Sequence, residues 1–235
     1  NVTIQNVQIK KFGSGIYLSA SSKNSITRNN LANNPQGIYL TASSNNNSMV
    51  RNKVQSSTDG IHLVSSSSYN TISENEITGN TPYGVEMSGN ANYNTISGNN
   101  ITSNTGTGIN LASNFNSVVG NNVTKNPTGI NVAGFSNSIS GNKVVNSTYD
   151  GISITYGTHD ISLIGNTIAN GTGWYGLRLN GLNNVFRSNI LVDNKFSFFV
   201  MGNPGLSNWV NDVDVSNTID GRPIYYWVNK QDNTV

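Results

Sequence analysis

The chain has 235 residues and a formal net charge of +2; only 10% of its side chains are charged, while 35% of its residues are hydrophobic. Its 13 lysines and arginines are scattered, so no basic stripe of the kind that binds nucleic acid is present. No apolar run is long enough for a transmembrane helix, and the absence of cysteine excludes disulfides and thiolate metal sites. Hydrophobic residues recur throughout, so the composition predicts a folded core rather than disorder.

The first predicted element, NVTIQNVQIKKF at residues 1 to 12, alternates apolar and polar residues like two short strands with one buried face. It is similar to the second half of the units that follow, and no amphipathic helix precedes it. We therefore expect an open strand edge at this end. Such an edge favours self-association or continuation in a longer parent chain.

The middle of the chain repeats a Gly-apolar-x-apolar unit, and successive glycines are 21 to 25 residues apart. Two polar marks, mostly asparagines, follow each glycine, and each mark leads into a short β-branched stretch. The glycines are Gly15, Gly37, Gly60, Gly84, Gly108, Gly129, Gly151 and Gly176. The first marks are Asn24, Asn47, Asn70, Asn94, Asn116, Asn137, Asp160 and Asn184. The second marks are Asn29, Asn52, Asn75, Asn99, Asn121, Asn142, Asn166 and Asn189.

Each unit thus contains three segments that are too short for helices and that fit strands with one buried face. Three strands joined by tight bends describe one coil, and stacked coils pair each strand with its counterpart. We expect the glycine and asparagine marks to adopt positive φ at the corners. We also expect the second asparagine set to form a ladder of amide hydrogen bonds.

Two stretches carry a family resemblance: GIYLTASSNNNSMVRNKV at 37 to 54 and GVEMSGNANYNTISGNNI at 84 to 101. They resemble repeats of right-handed parallel β-helix proteins, in particular the NosD-like and carbohydrate-binding/sugar-hydrolase class of archaeal and bacterial surface proteins. The resemblance covers about residues 2 to 200. It implies an all-β, single-stranded, right-handed parallel β-helix of about nine coils, with three short strands per coil. It does not decide function, because the same coil carries lyases, hydrolases, epimerases, adhesins and fibres.

The end of the chain changes character. Residues 1–200 are predicted to form the β-helix, whereas 201–235 is an aromatic-rich segment with turn signals that contains two of the three tryptophans. The stretch SNTIDGRPIYYWVN resembles a segment that interrupts the coils of NosD-like archaeal proteins. We expect it to form a turn or hairpin that caps the helix or contacts another subunit.

The x position of the repeated strand points outward and offers a candidate carbohydrate-binding stripe, Tyr17, Tyr39, His62 and Glu86, on coils about 4.8 Å apart. A solvated face with stacked aromatic rings is the alternative. Among residues that precede the glycines, Asp59 and Asp150 are four coils apart, roughly 19 Å, which is too far for both to act on one glycosidic bond.

Asp59 and Glu86 can lie closer to each other, but the motif set of polygalacturonases is missing around them. No catalytic residue is therefore assigned.

The remaining charged and metal-binding side chains indicate structural roles. Arg51 with Glu74 and Lys53 with Glu76 are predicted to pair across adjacent coils. No three carboxylates cluster as calcium ligands would, and the two histidines and three methionines are too dispersed for a copper site. We therefore expect neither a metal site nor a cofactor.

The sequence favours a structural or adhesive extracellular protein, such as a subunit of a cell-surface layer, sheath or filament that assembles end to end. The alternative is a module that binds or processes polysaccharides as a lyase, hydrolase or epimerase does. Glycans are also expected as modifications. The candidate N-glycosylation sites are Asn1, Asn46, Asn100, Asn122, Asn146 and Asn170.

Overall fold

The computed structural model describes residues 1–201 and 210–228. Every regular element of this described part is a strand, and each coil contributes one strand to each of three stacked sheets. The fold is an all-β parallel solenoid of about nine turns, which confirms the predicted fold class. The described part contains no long apolar helix of the kind that crosses a membrane.

Sheet A contains the strands that follow the first asparagine mark of each coil. All its pairings are parallel. Its strands are β1 (Thr3–Gln5), β4 (Ser25–Thr27), β7 (Ser48–Val50), β10 (Thr71–Ser73), β13 (Thr95–Ser97), β16 (Ser117–Val119), β19 (Ser138–Ser140), β22 (Ser162–Ile164), β25 (Val185–Arg187) and β28 (Asp212–Val213).

Sheet B contains the strands that follow the second asparagine mark. Its pairings are parallel except at the last pair, which is antiparallel. Its strands are β2 (Gln8–Lys10), β5 (Asn30–Ala32), β8 (Lys53–Gln55), β11 (Glu76–Thr78), β14 (Asn100–Thr102), β17 (Asn122–Thr124), β20 (Lys143–Val145), β23 (Thr167–Ala169), β26 (Ile190–Val192), β29 (Thr218–Ile219) and β30 (Arg222–Pro223).

Eight of the nine strands of sheet C come from the Gly-apolar-x-apolar segments, and the ninth, β27, lies at the end of the sheet; all pair in parallel. Its strands are β3 (Ser14–Ser19), β6 (Gln36–Thr41), β9 (Asp59–Leu63), β12 (Tyr83–Met87), β15 (Thr107–Leu111), β18 (Thr128–Val132), β21 (Ile152–His159), β24 (Leu177–Leu182) and β27 (Phe198–Val200).

The core is a continuous apolar column inside the three sheets. The central side chain of a short strand points inward and stacks on its counterparts, as Ile72 does between Met49 and Ile96. Burying one such side chain is worth about 2 kcal/mol. That gain requires neighbouring coils, so each coil is stabilised chiefly by the coils beside it.

The repeated glycines are required by close approach between coils. A Cβ atom on Gly60 would lie 2.3 Å from the carbonyl oxygen of Gly84 on the next coil. None of these glycines has positive φ, and the left-handed residues instead precede the asparagine marks, such as Tyr69 (φ 58°) and Glu74 (φ 55°). The prediction of positive φ was therefore wrong at every marked glycine and asparagine, and among the marks it holds only at Asp160 (φ 58°).

The predicted amide ladder is present. Along the second asparagine set the side-chain oxygen accepts the backbone N–H and the side-chain amide of the preceding coil, as Asn99 does from Asn75 at 2.9 Å for both. In the first set, Asp160 was misassigned. It is exposed, and the ladder position belongs to Ile161, whose N–H donates to Asn184 Oδ1 at 2.8 Å.

A third ladder, which the sequence analysis did not single out, lies at the corner before sheet C and includes Asn80, Asn104 and Asn126.

The described part of the segment 201–235 continues two of the sheets. Strands β28 and β29 pair in parallel with β25 and β26, and β29 and β30 form a short antiparallel hairpin. Residues 202–209 and 229–235, which belong to the same predicted segment, lie outside the described residues. Its role as a cap or a subunit contact stays a prediction.

Candidate functional site

The outer face of sheet C presents two adjacent columns of side chains, which we call the pre-glycine column and the x column. The pre-glycine column contains Ser14, Gln36, Asp59, Tyr83, Thr107, Thr128, Asp150 and Tyr175. The x column contains Tyr17, Tyr39, His62, Glu86, Asn110, Asn131, Ser153 and Arg178. Strand pairing places neighbouring members of each column on adjacent coils, as Asp59 with Tyr83 and His62 with Glu86.

The two columns meet in a cluster that we call the His62 centre: Asp59, His62, Tyr83 and Glu86. His62 Nδ1 lies 3.6 Å from Asp59 Oδ2, and His62 Nε2 lies 3.6 Å from Glu86 Oε2. The side chains of His62, Asp59 and Glu86 are only 15% to 16% exposed. The sequence analysis placed Asp59 and Glu86 close together but did not join them with His62 into one site.

The two ring nitrogens of His62 have different surroundings. His62 Nε2 lies 3.1 Å from Ser88 Oγ, whereas the buried Nδ1 atom has no hydrogen-bond partner among the described residues. Asn110 Nδ2 donates weakly to Glu86 Oε1 at 3.4 Å. The imidazole is therefore held at hydrogen-bond distance by Ser88 and is flanked by two carboxylates at 3.6 Å.

Burial controls the titration of the two acids beside the imidazole. Desolvation raises the pKa of Glu86, and the charge of Asp59 raises it further, while His62 and Asn110 oppose the shift. Burial, followed by the charges of Glu86 and Asp59, also raises the pKa of the Tyr83 hydroxyl. Both shifts act in the direction of the protonated form, and burial is the largest cause of each.

The other predicted members of the stripe extend from the centre in one direction. The Tyr39 ring meets the His62 ring edge-on at a centroid distance of 5.2 Å, and Tyr17 stacks on Tyr39 at 5.6 Å. Because these two tyrosines stack on each other, each covers part of the other's ring face. The stripe is therefore better suited to contact through edges and hydroxyl groups than through open stacking platforms.

A concavity of about 570 Å³ lies beside the pre-glycine column and is lined by small polar residues, including Thr58 and Thr81. Thr58 immediately precedes Asp59 in the chain, and Thr81 lies two residues before Tyr83. The concavity contains no titratable side chain among its lining residues. No member of the His62 centre lines it, so the concavity is connected to that centre only through neighbours in the chain.

The His62 centre also has the donor atoms of a cation site. One oxygen of Asp59, one oxygen of Glu86 and one ring nitrogen of His62 lie within 4.8 Å of one another. Two carboxylates and one imidazole suit zinc or another transition metal better than calcium. In the sequence, carboxylates were weighed as calcium ligands and histidines with methionines as copper ligands, so a group that mixes carboxylates with one histidine was not considered.

The structure also locates the remaining predicted residues. The cross-coil pairs are confirmed, with Arg51 Nε 2.7 Å from Glu74 Oε2 and Lys53 Nζ 3.0 Å from Glu76 Oε1. The candidate glycosylation sites are exposed except Asn146, which is half-buried, and their modification stays a prediction.

A second aromatic column on another corner was missed. It contains Tyr69, Tyr93, Phe115, Phe135 and His159, and centroids of successive rings are 5.0 to 5.5 Å apart.

Comparison with known proteins places this geometry in a family. A model described as the right handed beta helix region matches residues 1–144, so the chain belongs to the right-handed β-helix family. The narrower NosD-like assignment is not part of that match. Among curated proteins, none matches the sequence.

Solved structures of polysaccharide-acting proteins share the fold. The periplasmic alginate epimerase AlgG superposes with a TM-score of 0.68 at 19% identity, over 77% of this chain and 51% of that chain. The A-module of Azotobacter vinelandii mannuronan C-5 epimerase AlgE6 gives 0.67 at 16% identity, over 87% and 58%. Pectate lyase Pel9A gives 0.61 at 15% identity, over 92% and 69%.

At these identities the similarity shows a common fold only. The chain spans about half the length of the epimerases.

Proposed function

We propose that this protein processes a polysaccharide of uronic acids by removing the proton on the carbon that carries the carboxyl group. The observation that carries the proposal is the His62 imidazole held between Asp59 and Glu86 on an outward-facing sheet. Imidazole is the side chain most often used for general base catalysis. The structural neighbours that act on alginate and pectate support the same substrate class.

In the proposed reaction the His62 imidazole accepts the proton as the C–H bond breaks, and the electron pair moves into the substrate carboxyl group to form an enolate. Asp59 orients the imidazole and stabilises its positive charge. Glu86 flanks the imidazole on its other side, with Oε2 3.6 Å from His62 Nε2, and stabilises the imidazolium together with Asp59.

A proton must then be supplied, and Tyr83 is the proposed donor because it lies beside Asp59 on the adjacent strand of sheet C and carries a hydroxyl group that can donate. If the proton returns to the same carbon from the opposite face, the sugar is epimerised. If the enolate instead expels the glycosidic oxygen at the next carbon and that oxygen takes the proton, the chain is cleaved by elimination. The proposal covers both outcomes, since they share the proton abstraction.

Glycoside hydrolysis is a second candidate, favoured by one distance. The nearest oxygens of Asp59 and Glu86 lie within 4.8 Å, close to the carboxyl separation of about 5 to 5.5 Å in retaining glycosidases. His62 lies between those carboxylates and limits the space for a sugar carbon, which makes proton abstraction the better fit.

The test incubates mannuronan and polygalacturonate with the protein in D₂O and follows the products by NMR. We expect either deuterium at carbon 5 without chain shortening or unsaturated chain ends. Both products should be lost in His62→Gln and retained in His159→Gln, a matched change of the only other histidine. New reducing ends without deuterium or unsaturation would instead establish hydrolysis, and unchanged polymers would contradict both candidates.

A chelator added to the same reaction tests the cation alternative. Loss of activity that zinc restores would mean that Asp59, His62 and Glu86 bind a metal ion, and would contradict the role of His62 as a free base.

The comparisons favour polysaccharide processing over the filament or sheath role that the sequence favoured. Secretion or display at the cell surface fits an enzyme that meets polymeric substrates, and we keep it as part of the proposal. N-glycosylation, end-to-end assembly and membership of the NosD-like class stay predictions.

A further inference from the structure

A second cluster of functional side chains lies on the same face of sheet C, at some distance from the His62 centre. Asp150 and Tyr175 continue the pre-glycine column and Arg178 continues the x column; Trp174 precedes Tyr175 in the chain. A concavity of about 290 Å³ is lined by Trp174, Tyr175, Arg178 and Met201. We call the group of Asp150, Trp174, Tyr175 and Arg178 the Arg178 cluster.

The ion pair in this cluster is incompletely satisfied. Arg178 Nη1 lies 3.5 Å from Asp150 Oδ2, which is long for a charge-assisted hydrogen bond. Neither Asp150 Oδ1 nor Arg178 Nε has a hydrogen-bond partner among the described residues. The Asp150 side chain is 5% exposed and that of Arg178 is 28% exposed. Asp150 therefore positions the guanidinium, and Arg178 is the member of the pair that meets solvent.

Aromatic rings surround the exposed part of Arg178. Trp174 is 57% exposed and lies 5.6 Å from the Tyr149 ring in a tilted arrangement. Tyr175 stacks on Phe199 with centroids 4.3 Å apart, which fixes its ring. A fixed tyrosine, an exposed tryptophan and a guanidinium around one concavity are suited to a sugar ring that carries an anionic group.

A polar track joins the Arg178 cluster to the His62 centre. Between Glu86 and Arg178 the x column contains only Asn110, Asn131 and Ser153. Asn131 Nδ2 donates to Asn110 Oδ1 at 2.8 Å, and Asn110 contacts Glu86. Asn110 and Ser153 are buried and Asn131 is half-buried, so Asn131 is the member of this track that can meet a sugar hydroxyl group. None of the three carries a charge that would repel a carboxylate.

The charge distribution makes Arg178 the main cationic group of sheet C. It is the only lysine or arginine within the nine described strands of sheet C, whereas Asp59 and Glu86 place two carboxylates at the His62 centre. A polyanionic chain lying along this face would find its cationic contact at Arg178. A guanidinium matches a carboxylate with two parallel N–H···O bonds.

We propose that Arg178, with Trp174 and Tyr175, binds the carboxylate of a uronate residue located about four sugar units from the one at the His62 centre. Arg178 is four strands from Glu86, roughly 19 Å at the strand spacing of a sheet, and a pyranose in an extended chain advances by about one such spacing. This inference rests on the proposed function. It adds that the substrate carries a second carboxylate about four sugar units from the reacting one. About five sugar units would then lie along the outer face of sheet C.

The test measures binding by calorimetry with the full chain, using tri- and hexasaccharides of mannuronate and of galacturonate. A hexasaccharide reaches from the His62 centre to Arg178 and a trisaccharide does not. Because only the hexasaccharide can place a carboxylate against the Arg178 guanidinium, we expect the hexasaccharide of at least one series to bind about tenfold more tightly than its trisaccharide. That advantage should fall to near unity in Trp174→Ala and in the double variant Asp150→Asn/Arg178→Gln.

The double variant removes both charges of the buried pair, so no unpaired charge is left to unfold the protein. Lys143→Gln is the matched control, because it removes one positive charge from an exposed position on sheet B. Its hexasaccharide advantage should equal that of the wild type. An equal loss in the control would show a general charge effect and would overturn the proposal.

Two further outcomes would also overturn it. One is a hexasaccharide advantage that persists in both cluster variants. The other is equal binding of a hexasaccharide whose carboxyl groups have been reduced to alcohols, since Arg178 would then recognise hydroxyl groups instead of carboxylates.

Failure of the proposed function can be distinguished from failure of the Arg178 site. If the hexasaccharide advantage depends on Arg178 but no deuterium or unsaturation appears in D₂O, the binding site stands without the chemistry. If the chemistry occurs without an Arg178-dependent advantage, the site is wrong and the chemistry stands.

Discussion

Asp59 and Tyr83 occupy the same two positions of the repeat as Asp150 and Tyr175, which lie four strands further along sheet C. In both places an aspartate precedes the glycine of one coil and a tyrosine precedes the glycine of the next. The neighbours in the x column differ: His62 and Glu86 at the first pair, Ser153 and Arg178 at the second.

The two pairs therefore share their backbone positions. They differ in the side chains at the x position, and we attribute the different proposed roles of the two clusters to those side chains. Burial is the largest cause of the raised pKa of both Glu86 and Asp150. Beside Glu86 the opposing group is His62, an imidazole able to accept a proton. Beside Asp150 it is Arg178, a guanidinium, which offers hydrogen-bond donors and no acceptor and to which we have assigned a binding role by proposal.

The largest expected difference concerns proton abstraction. Changing His62 to Gln should lower turnover by about 10²- to 10⁴-fold, because the general base is lost. Changing Ser153, the x residue beside Asp150, to Ala should leave turnover within about twofold of the wild type, since a hydroxyl at the second pair has no part in proton transfer. Initial rates on the preferred uronan measure both. A similar loss in the two variants would remove the distinction between the clusters.

The next prediction compares the stability effect of a change at Asn99, inside a corner of the coil, with that of a change at Asn131, on the outer face of sheet C between the two clusters. Asn99 is buried, donates to Ile72 O and Asn121 Oδ1 at 2.9 Å, and accepts from Asn75. Asn99→Leu should lower the free energy of unfolding by about 3 kcal/mol, since several buried partners become unsatisfied. Asn131→Leu, on the half-buried outer track, should cost under about 1 kcal/mol. Chemical denaturation compares them, and a melting temperature of Asn99→Leu within a degree of the wild type would contradict the ladder's role.

Much of the fold was predictable because a stacked coil repeats its requirements in the sequence. Glycine recurs where a Cβ would strike the next coil, as at Gly60, and asparagine recurs where an amide must bridge two coils, as at Asn99. The position of the positive φ was not predictable from those marks. It falls on the residue before each asparagine, where Tyr69, Arg51 and Glu74 all occur, so residue type gives little signal.

The sites were only partly predictable. The sequence ordered His62 and Glu86 in one column and Asp59 in another, but the 3.6 Å contacts that join the columns depend on side-chain direction across two coils. The second aromatic column was hidden by a shift in spacing: Phe115 lies one residue before its asparagine mark, while Phe135 lies two before its own.

A smaller effect on turnover is expected to distinguish Tyr83 from Tyr175. Tyr83→Phe should lower turnover by about tenfold or more, because the proposed proton donor is lost from the His62 centre. Tyr175→Phe should leave turnover near the wild-type value and preserve the stacking on Phe199, since only the hydroxyl is removed. Rates at saturating hexasaccharide isolate turnover from binding. Equal effects of the two changes would argue against Tyr83 as the donor.

The smallest effect is the pH dependence of stability, and its sign differs between the sheet C carboxylates and an exposed one. Burial raises the pKa of Asp150, so as pH falls through that raised pKa toward the ordinary aspartate value the native state takes up a proton that the unfolded state does not. The wild type should therefore gain stability relative to Asp150→Asn on acidification, and relative to Glu86→Gln for the same reason.

Hydrogen bonding to His159 and Asn183 lowers the pKa of exposed Asp160, so relative to Asp160→Asn the wild type should lose stability as pH falls through the ordinary value to the lowered one. Melting temperatures of the four proteins between neutral and acidic pH measure the differences. If all three differences moved in one direction, burial would not be what distinguishes Glu86 and Asp150 from an exposed carboxylate, and the electrostatic basis for comparing the two clusters would be lost.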